Sequence, residues 1–265
     1  MPAPVNKFKA ALAQKRPCIG LWVALANPNS AELLSHIGYD WLLIDGEHAP
    51  NDLPLMLAQL QAAGAGGSQA VVRIPIGEAW MIKQVLDIGA QTILVPMVES
   101  AEQAQMLARA MRYPPEGNRG MGLLGRASRY GLTADYIQTA NAQTCLLVQV
   151  ETRAGLAALE AICAVEGVDG VFIGPADLSA DLGYPGQFDH PEVLRTIDEA
   201  IAKIAALGKA PGILVGGAAP ARHYIGLGAQ FVAIGHDVGL LRESALALLA
   251  SMSAETPAAA GGQTY

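Results

Sequence analysis

Two carboxylates stand out by their placement in the stretch Val148–Gly183, VQVETRAGLAALEAICAVEGVDGVFIGPADLSADLG. Glu151 closes one apolar run. Asp177 follows the next, Gly170–Ile173, after Gly174-Pro175-Ala176, and a helix-patterned segment lies between the runs. If the runs are neighbouring parallel strands, both acids emerge at one edge of the sheet, a site suited to a hard divalent cation. With no clustered Cys or second His beside them, they favour Mg²⁺, Mn²⁺ or Co²⁺, with Zn²⁺ the remaining option. Two protein ligands leave about four octahedral positions for water and substrate. Either acid alone also suits a helix cap; their succession on consecutive strands points to a metal.

Other groups capable of chemistry lie where apolar runs end. His48 follows LLIDGE, with Asp45 and Glu47 around it. An imidazole with an ordinary pKa of ~6.5 serves as a base near neutral pH, best when a carboxylate orients it. Asp45 and Asp87 are both candidates for that carboxylate. Arg73 ends VVR; a guanidinium there meets an anionic substrate or enolate, or forms a rim salt bridge, with Glu47 the nearest candidate. Trp22, Asp45, Gln149, Leu214 and the backbone of Gly174, Pro175 and Ala176 complete, with Arg73, the expected substrate-binding set, and His236 is a weaker second base. Lysines fall in the N-terminal segment, in helices or, as Lys209, before a strand, so Schiff-base chemistry is not expected. GxSxG and Walker A motifs are absent. Carbanion chemistry here would need a metal as electron sink.

The elements that must position these groups alternate. Strands are expected over Ile19–Val23, Trp41–Ile44, Ala70–Arg73, Thr92–Val95, Leu146–Val150, Gly170–Ile173, Gly212–Val215 and Phe231–Ile234. Continuous Val/Ile/Leu-rich runs suit parallel strands buried on both faces. Helical periodicity marks Ser30–Ile37, Leu53–Ala62, Ala79–Ile88, Ala101–Met111, Ala154–Cys163, Pro191–Ala206, Pro220–Gly226 and Val238–Ala250. Glycines recur just before strands, as in Gly38-Tyr39-Asp40 and Gly167-Val168-Asp169, where they end helices. The pattern predicts an α/β chain folded as a (β/α)₈ TIM barrel, whose strand C-termini line the active site. An open doubly wound sheet is the runner-up, without a GxGxxG fingerprint after the first strand. The barrel is expected as one domain over residues 1–252, with a flexible tail over 253–265. Residues 112–144, Gly- and Arg-rich and then helical, are expected to form a lid or subunit contact, with Arg119, Arg126 and Arg129 facing other subunits.

Composition bounds the rest. The 265 residues are 52% hydrophobic and 15% charged, enough for a large core. A net charge of −7 without a basic cluster argues against nucleic acid and anionic membrane partners. No apolar run approaches the ~18–20 residues of a membrane span. The start, an amphipathic helix in pattern, lacks a signal-peptide core. Three cysteines without CxxC spacing suit a reducing compartment, and cytoplasmic localisation is expected.

The blocks LLIDGEHAPND, VVRIP, QTILVPMVES, RYPPEGNRG, VQVET and GVDGVFIGPADLSADLGYPG resemble the HpcH/HpaI family of metal-dependent (class II) pyruvate aldolases, in its branch acting on 4-hydroxy-2-oxo acids. The resemblance runs from Phe8 to Leu249. It implies a barrel of the phosphoenolpyruvate/pyruvate type whose last helix exchanges between subunits, and a homohexamer built as a trimer of dimers. It implies Glu151 and Asp177 as metal ligands, His48 as base with Asp87 as its acid partner, and Arg73 as the group steadying a pyruvate enolate. Gly174–Ala176 and Gln149 would hold the substrate. The substrates implied are pyruvate and aldehydes such as succinic semialdehyde. The loop GMGLLGRASRY departs from the family's pattern: it is shorter, with Leu123 and Leu124 where small residues are expected. The alternatives are an oxaloacetate decarboxylase, a citrate-lyase-like acyl-CoA lyase, and a non-catalytic metabolite-binding barrel.

Overall fold

The computed structural model describes residues 1–254. Eight strands form its centre: β1 (Cys18–Val23), β2 (Trp41–Asp45), β3 (Gln69–Arg73), β4 (Thr92–Val95), β5 (Cys145–Val150), β6 (Val168–Ile173), β7 (Ala210–Leu214) and β8 (Phe231–His236). They pair in sequence order, all parallel, and β8 closes on β1. This is the expected (β/α)₈ barrel. The helices are α1 (Lys7–Ala13), α2 (Pro28–Ser35), α3 (Leu53–Ala63), α4 (Ala79–Asp87), α5 (Ala101–Ala110), α6 (Tyr136–Ala140), α7 (Arg153–Ala157), α8 (Leu159–Ala164), α9 (Pro175–Asp181), α10 (Pro191–Ala206), α11 (Ala218–Gly226) and α12 (Asp237–Ala254).

Helix starts follow local chemistry. Asp52, Ser100 and Thr152 accept from the backbone N–H of Leu55, Gln103 and Gly155 at 2.9, 3.1 and 3.0 Å. Such caps contribute about 1 kcal/mol each. His190 caps α10 in the same way, accepting from Glu192 N at 3.3 Å.

Two hydrophobic layers hold the barrel. Outside the sheet, β-strand residues such as Val72, Ile93, Val148 and Ile173 meet Ile82, Leu107, Ile162 and Ile201 from the helices. Inside, Trp41, Phe172 and Phe231 fill the lumen, and Phe8 and Leu12 of α1 plug its lower end. Large rings require small neighbours. A Cβ on Gly20 would come within 2.2 Å of the Trp41 ring, and one on Gly212 within 2.1 Å of Phe231. The floor beneath the rim is therefore closed.

Three expectations need correction. The single helix expected over Ala154–Cys163 is two short ones that meet at Ala158, so that Leu159, Ile162 and Cys163 face the core while Arg153 and Glu160 stay exposed. Residues 112–144 are mostly irregular; helix returns only at α6 and in two 3₁₀ turns. Arg119 and Arg126 turn inward rather than to a subunit surface. Arg119 meets Asp87, and Arg126 donates to the Ile88 carbonyl at 2.8 Å. The tail expected from Ser253 lies outside the described residues, save its first two, which end α12.

The last helix is unusual. α12 carries leucines all round, and Leu241, Leu246, Leu248, Leu249 and Met252 are exposed. Its principal contacts are with β1 and β8. Asp237 anchors its start: its carboxylate accepts from Ala24 N, Leu25 N and Val238 N at 2.9, 3.1 and 2.8 Å. Among the described residues no helix is long and apolar enough to cross a membrane.

Candidate active site

Parallel strands end together, so the last residues of β1–β6 share one rim. Asp45 and Arg73 sit in register across β2 and β3. Arg73 donates from Nε to Asp45 Oδ1 at 2.9 Å and from Nη2 to Oδ2 at 2.7 Å. Its third nitrogen, Nη1, lies 2.8 Å from Glu47 Oε2, the rim salt bridge named as a candidate from the sequence. The guanidinium lies 5.1 Å from the centre of the Trp22 ring, and the indole N–H donates to Asp45 Oδ2 at 3.3 Å. Trp22, Asp45 and Arg73 are thus one buried unit.

Burial pushes the Asp45 carboxyl up, but Arg73 and the backbone N–H groups of Glu47 and His48 more than offset it and hold it below its usual value. Glu47 goes the other way. Burial raises it, Arg73 and His48 oppose, and Asp45 and Asp177 add to the rise.

Across the rim, Glu151 is buried. Its Oε1 accepts from Met97 N at 3.0 Å and its Oε2 from Gln149 Nε2. Burial again pushes this carboxyl up, the two hydrogen bonds oppose, and Asp177 and Glu47 add to the rise. Asp177 lies in the exposed first turn of α9, beside β6. Gly174 makes the approach possible, since a Cβ there would stand 2.2 Å from Glu151 Oε2. The backbone N–H groups of Ala176 and Asp177 open α9 without intrahelical partners, directed as anion donors. The side-chain carbonyl of Gln149 is buried without a hydrogen-bond partner. Leu214, at the end of β7, is half-buried against the lumen cluster. It also lines a cleft of roughly 910 Å³ that includes Pro175, Ala176, Gly216 and Gly217.

This donor set fits a hard cation. Glu151 and Asp177 present oxygen at one edge, and Glu47 faces the same space; Asp177 and Glu47 add to the rise of the Glu151 carboxyl, and Asp177 to that of Glu47, which a positive charge would relieve. Among the described residues no three His, Cys, Asp or Glu side chains close into a metal cage. The edge is an open two-carboxylate one.

His48 projects from the β2–α3 turn with its side chain 67% exposed, and its Nε2 lies 3.9 Å from Glu47. Asp45 meets it only through the backbone, accepting from His48 N at 3.3 Å. Asp87, the other expected partner, is not beside it. α4 leaves the rim after β3 and runs back along the barrel, roughly 13 Å for its length. Asp87 therefore ends near the start of β4, at the opposite end, where Arg119 donates to its Oδ1 at 2.7 Å. His236 has its Nδ1 committed to Gly239 N at 2.8 Å.

Sequence reasoning missed Met97. It adopts φ +55°, a left-handed conformation uncommon outside glycine, and this turns its N–H onto Glu151. Nothing in the residue type signals that role.

Residues 18–244 match the family model described as HpcH/HpaI aldolase/citrate lyase. The hydroxypyruvate/pyruvate aldolase of Roseovarius nubinhibens is 56% identical over 251 residues, covering 94% of this chain and 98% of that protein. The 4-hydroxy-2-oxo-heptane-1,7-dioate aldolase of Escherichia coli is 54% identical over 258 residues, covering 97% and 98%. Among solved structures, an HpcH/HpaI aldolase/citrate lyase family protein from Burkholderia cenocepacia J2315 superposes with a TM-score of 0.90 at 41% identity, covering 94% of this chain and all of that one.

Proposed function

The chain belongs to the HpcH/HpaI aldolase/citrate lyase family, and from that premise we propose that the rim of Glu151, Asp177, Arg73 and His48 is its active site. The enzyme is a pyruvate aldolase, a carbon–carbon lyase. Its reaction is the reversible joining of a pyruvate enolate to an aldehyde such as succinic semialdehyde, giving a 4-hydroxy-2-oxo acid. The observation that carries this reading is the buried carboxylate Glu151, held by Met97 N–H across a rim from the Arg73 guanidinium.

Glu151 and Asp177 are the residues that would hold a divalent cation, which when bound supplies Lewis-acid stabilisation to an enolate. The protein groups do the rest. The free N–H groups of α9 receive the pyruvate carboxylate, over the glycine that leaves room for it. Arg73, fixed in orientation by Asp45, directs positive charge at the developing oxyanion. His48 takes the methyl proton and returns it in the reverse direction. Mg²⁺, Mn²⁺ and Co²⁺ are the cations that suit the oxygen donors.

The test is pyruvate release from 4-hydroxy-2-oxoheptanedioate by chelated protein and by protein refilled with each cation. Activity lost on chelation and regained on refilling is expected, and full activity without metal would sink the reading. A second donor is favoured by the 56% identity to a hydroxypyruvate/pyruvate aldolase. The same assay run in the synthetic direction, with hydroxypyruvate replacing pyruvate, measures it.

The reading also makes the enzyme an oligomer. α12, with exposed leucines along its length, would exchange between subunits to form dimers, three of which would make a hexamer. Asp87 stands at the wrong end of its own barrel to serve His48, so we infer that a second copy supplies it. Co-expressing His48→Ala with Asp87→Asn, each inactive alone, should then rebuild about one site in four by random mixing of subunits. If the co-expressed protein stays as inactive as its parents, the shared site is wrong.

A further inference from the structure

The turn that carries Glu47 and His48, residues 46–52, is fastened on two sides. On the inner side, Asp45 Oδ1 accepts from Glu47 N at 3.0 Å and His48 N at 3.3 Å. On the outer side, Asn51 Nδ2 donates to the Asp45 carbonyl at 2.7 Å. Asn51 is itself held, because Gln59 Nε2 donates to its Oδ1 at 2.5 Å and to the Leu55 carbonyl at 3.3 Å. Gln59 belongs to α3 and is completely buried, on the same helix face as Met56, Leu60 and Ala63.

An amide on that face is costly. Leucine or methionine would fill the same volume without desolvating a polar group. The cost is not even recovered in full, since Gln59 Oε1 has no hydrogen-bond partner. The carboxamide therefore acts through Nε2, and Nε2 acts on Asn51. The two links run in one direction, from a rigid helix, through Asn51, to the backbone of Asp45, which bears both the Arg73 clamp and the His48 turn. The inner fastening reaches only Glu47 and His48; Asn51 is the side chain that ties the later part of the turn back to β2. Shifts of about 1 Å at a reacting group cost on the order of a hundredfold in rate.

We propose that Gln59 and Asn51 are positioning residues for proton abstraction, a relay that sets where His48 sits over the pyruvate methyl group. The proposal rests on the reading of His48 as the base. Neither residue touches substrate: pyruvate is held on the β5 and β6 side of the rim, and the relay lies behind β2.

The step to measure is enolisation alone, followed as deuterium exchange into the pyruvate methyl group by the metal-loaded enzyme in D₂O. Gln59→Met removes the first link and Asn51→Leu removes both, each with little change of volume. Each is expected to slow exchange about tenfold, the effect of one lost hydrogen bond at the reacting group, with the Kd for pyruvate unchanged. In the double variant the loss should stay near tenfold, because cutting either link disables the whole relay. Wild-type exchange in Gln59→Met, a hundredfold loss in the double variant, or a fall in pyruvate affinity matching the fall in rate would each overturn the relay. His48→Ala is run alongside. If it exchanges at the wild-type rate, the base assignment itself fails, and the relay has nothing to position.

Discussion

Glu151→Gln is expected to remove aldolase activity by on the order of 10³-fold while leaving the protein folded, and at neutral pH at least as stable as before. The two effects have one cause. Glu151 is buried, and burial together with Asp177 and Glu47 raises its carboxyl above the ordinary range despite the hydrogen bonds from Gln149 and Met97. A raised carboxylate means that the ionised form costs the folded state stability. That cost is present at pH values above the folded pKa and disappears as pH falls through it. Glutamine keeps the shape and still accepts from Met97 N–H, so the cost disappears at every pH. What is lost is the anionic oxygen that a cation would require. The check is a paired measurement on metal-stripped protein: Tm against pH, and cation affinity by calorimetry. Rising stability with vanished affinity is the expected pattern. Undiminished cation affinity in Glu151→Gln would remove this residue from the ligand set.

Arg73→Met should be damaging in both respects. Arg73 has two carboxylate partners and a side chain only 8% exposed. Removing it leaves Asp45 buried and unpaired, which costs about 3–5 kcal/mol. Removing a charge aimed at a developing oxyanion costs about 10²–10³ in rate. The pH dependence separates the two. In the native protein Asp45 is held below its usual value, so it contributes stability above the unfolded carboxylate range that is lost as pH falls through the folded pKa. Without Arg73 the desolvation of Asp45 is no longer offset, and this share of acid sensitivity should vanish from the Tm profile. Arg73→Lys keeps a charge but not the fork that meets both Asp45 oxygens. It should recover part of the rate and little of the stability. If Arg73→Met matches the native rate at a temperature where both are folded, the arginine is only a structural brace.

The barrel was legible because parallel strands buried on both faces must be continuously apolar, and few other structures ask for such runs. β4, Thr92–Val95, and α10, Pro191–Ala206, have the bounds expected from pattern alone. The rim placement of Glu151 was legible for a related reason: a charge directly after a buried run has to be at a rim, and Asp177 follows the next run by one short turn into α9. What was not legible depends on backbone conformation or on distance. The role of Met97 comes from its φ and not its side chain. The break at Ala158 sits in a segment whose periodicity reads as one helix. Asp87 is the instructive case. Motif likeness pairs it with His48, yet the direction of α4 is fixed by chain topology, and that direction carries it away. Sequence spacing alone does not say whether two residues meet within a chain or between two. Gln59 shows the opposite limit, since a lone amide in an apolar helix face looks in sequence like a surface position.

The Trp22 indole, buried between Arg73 and Asp45, has a consequence for observation rather than for chemistry. The chain has three tryptophans. Trp41 is sealed in the lumen, and Trp80 lies half in solvent on α4. Only Trp22 shares the rim with ionic groups, 5.1 Å from a guanidinium. Indole emission responds to nearby charge, so a ligand that draws Arg73 toward itself alters the emission of Trp22, the tryptophan stacked beside the guanidinium. The molecule carries its own optical reporter of occupancy, and Trp22→Phe provides the blank against which to read it.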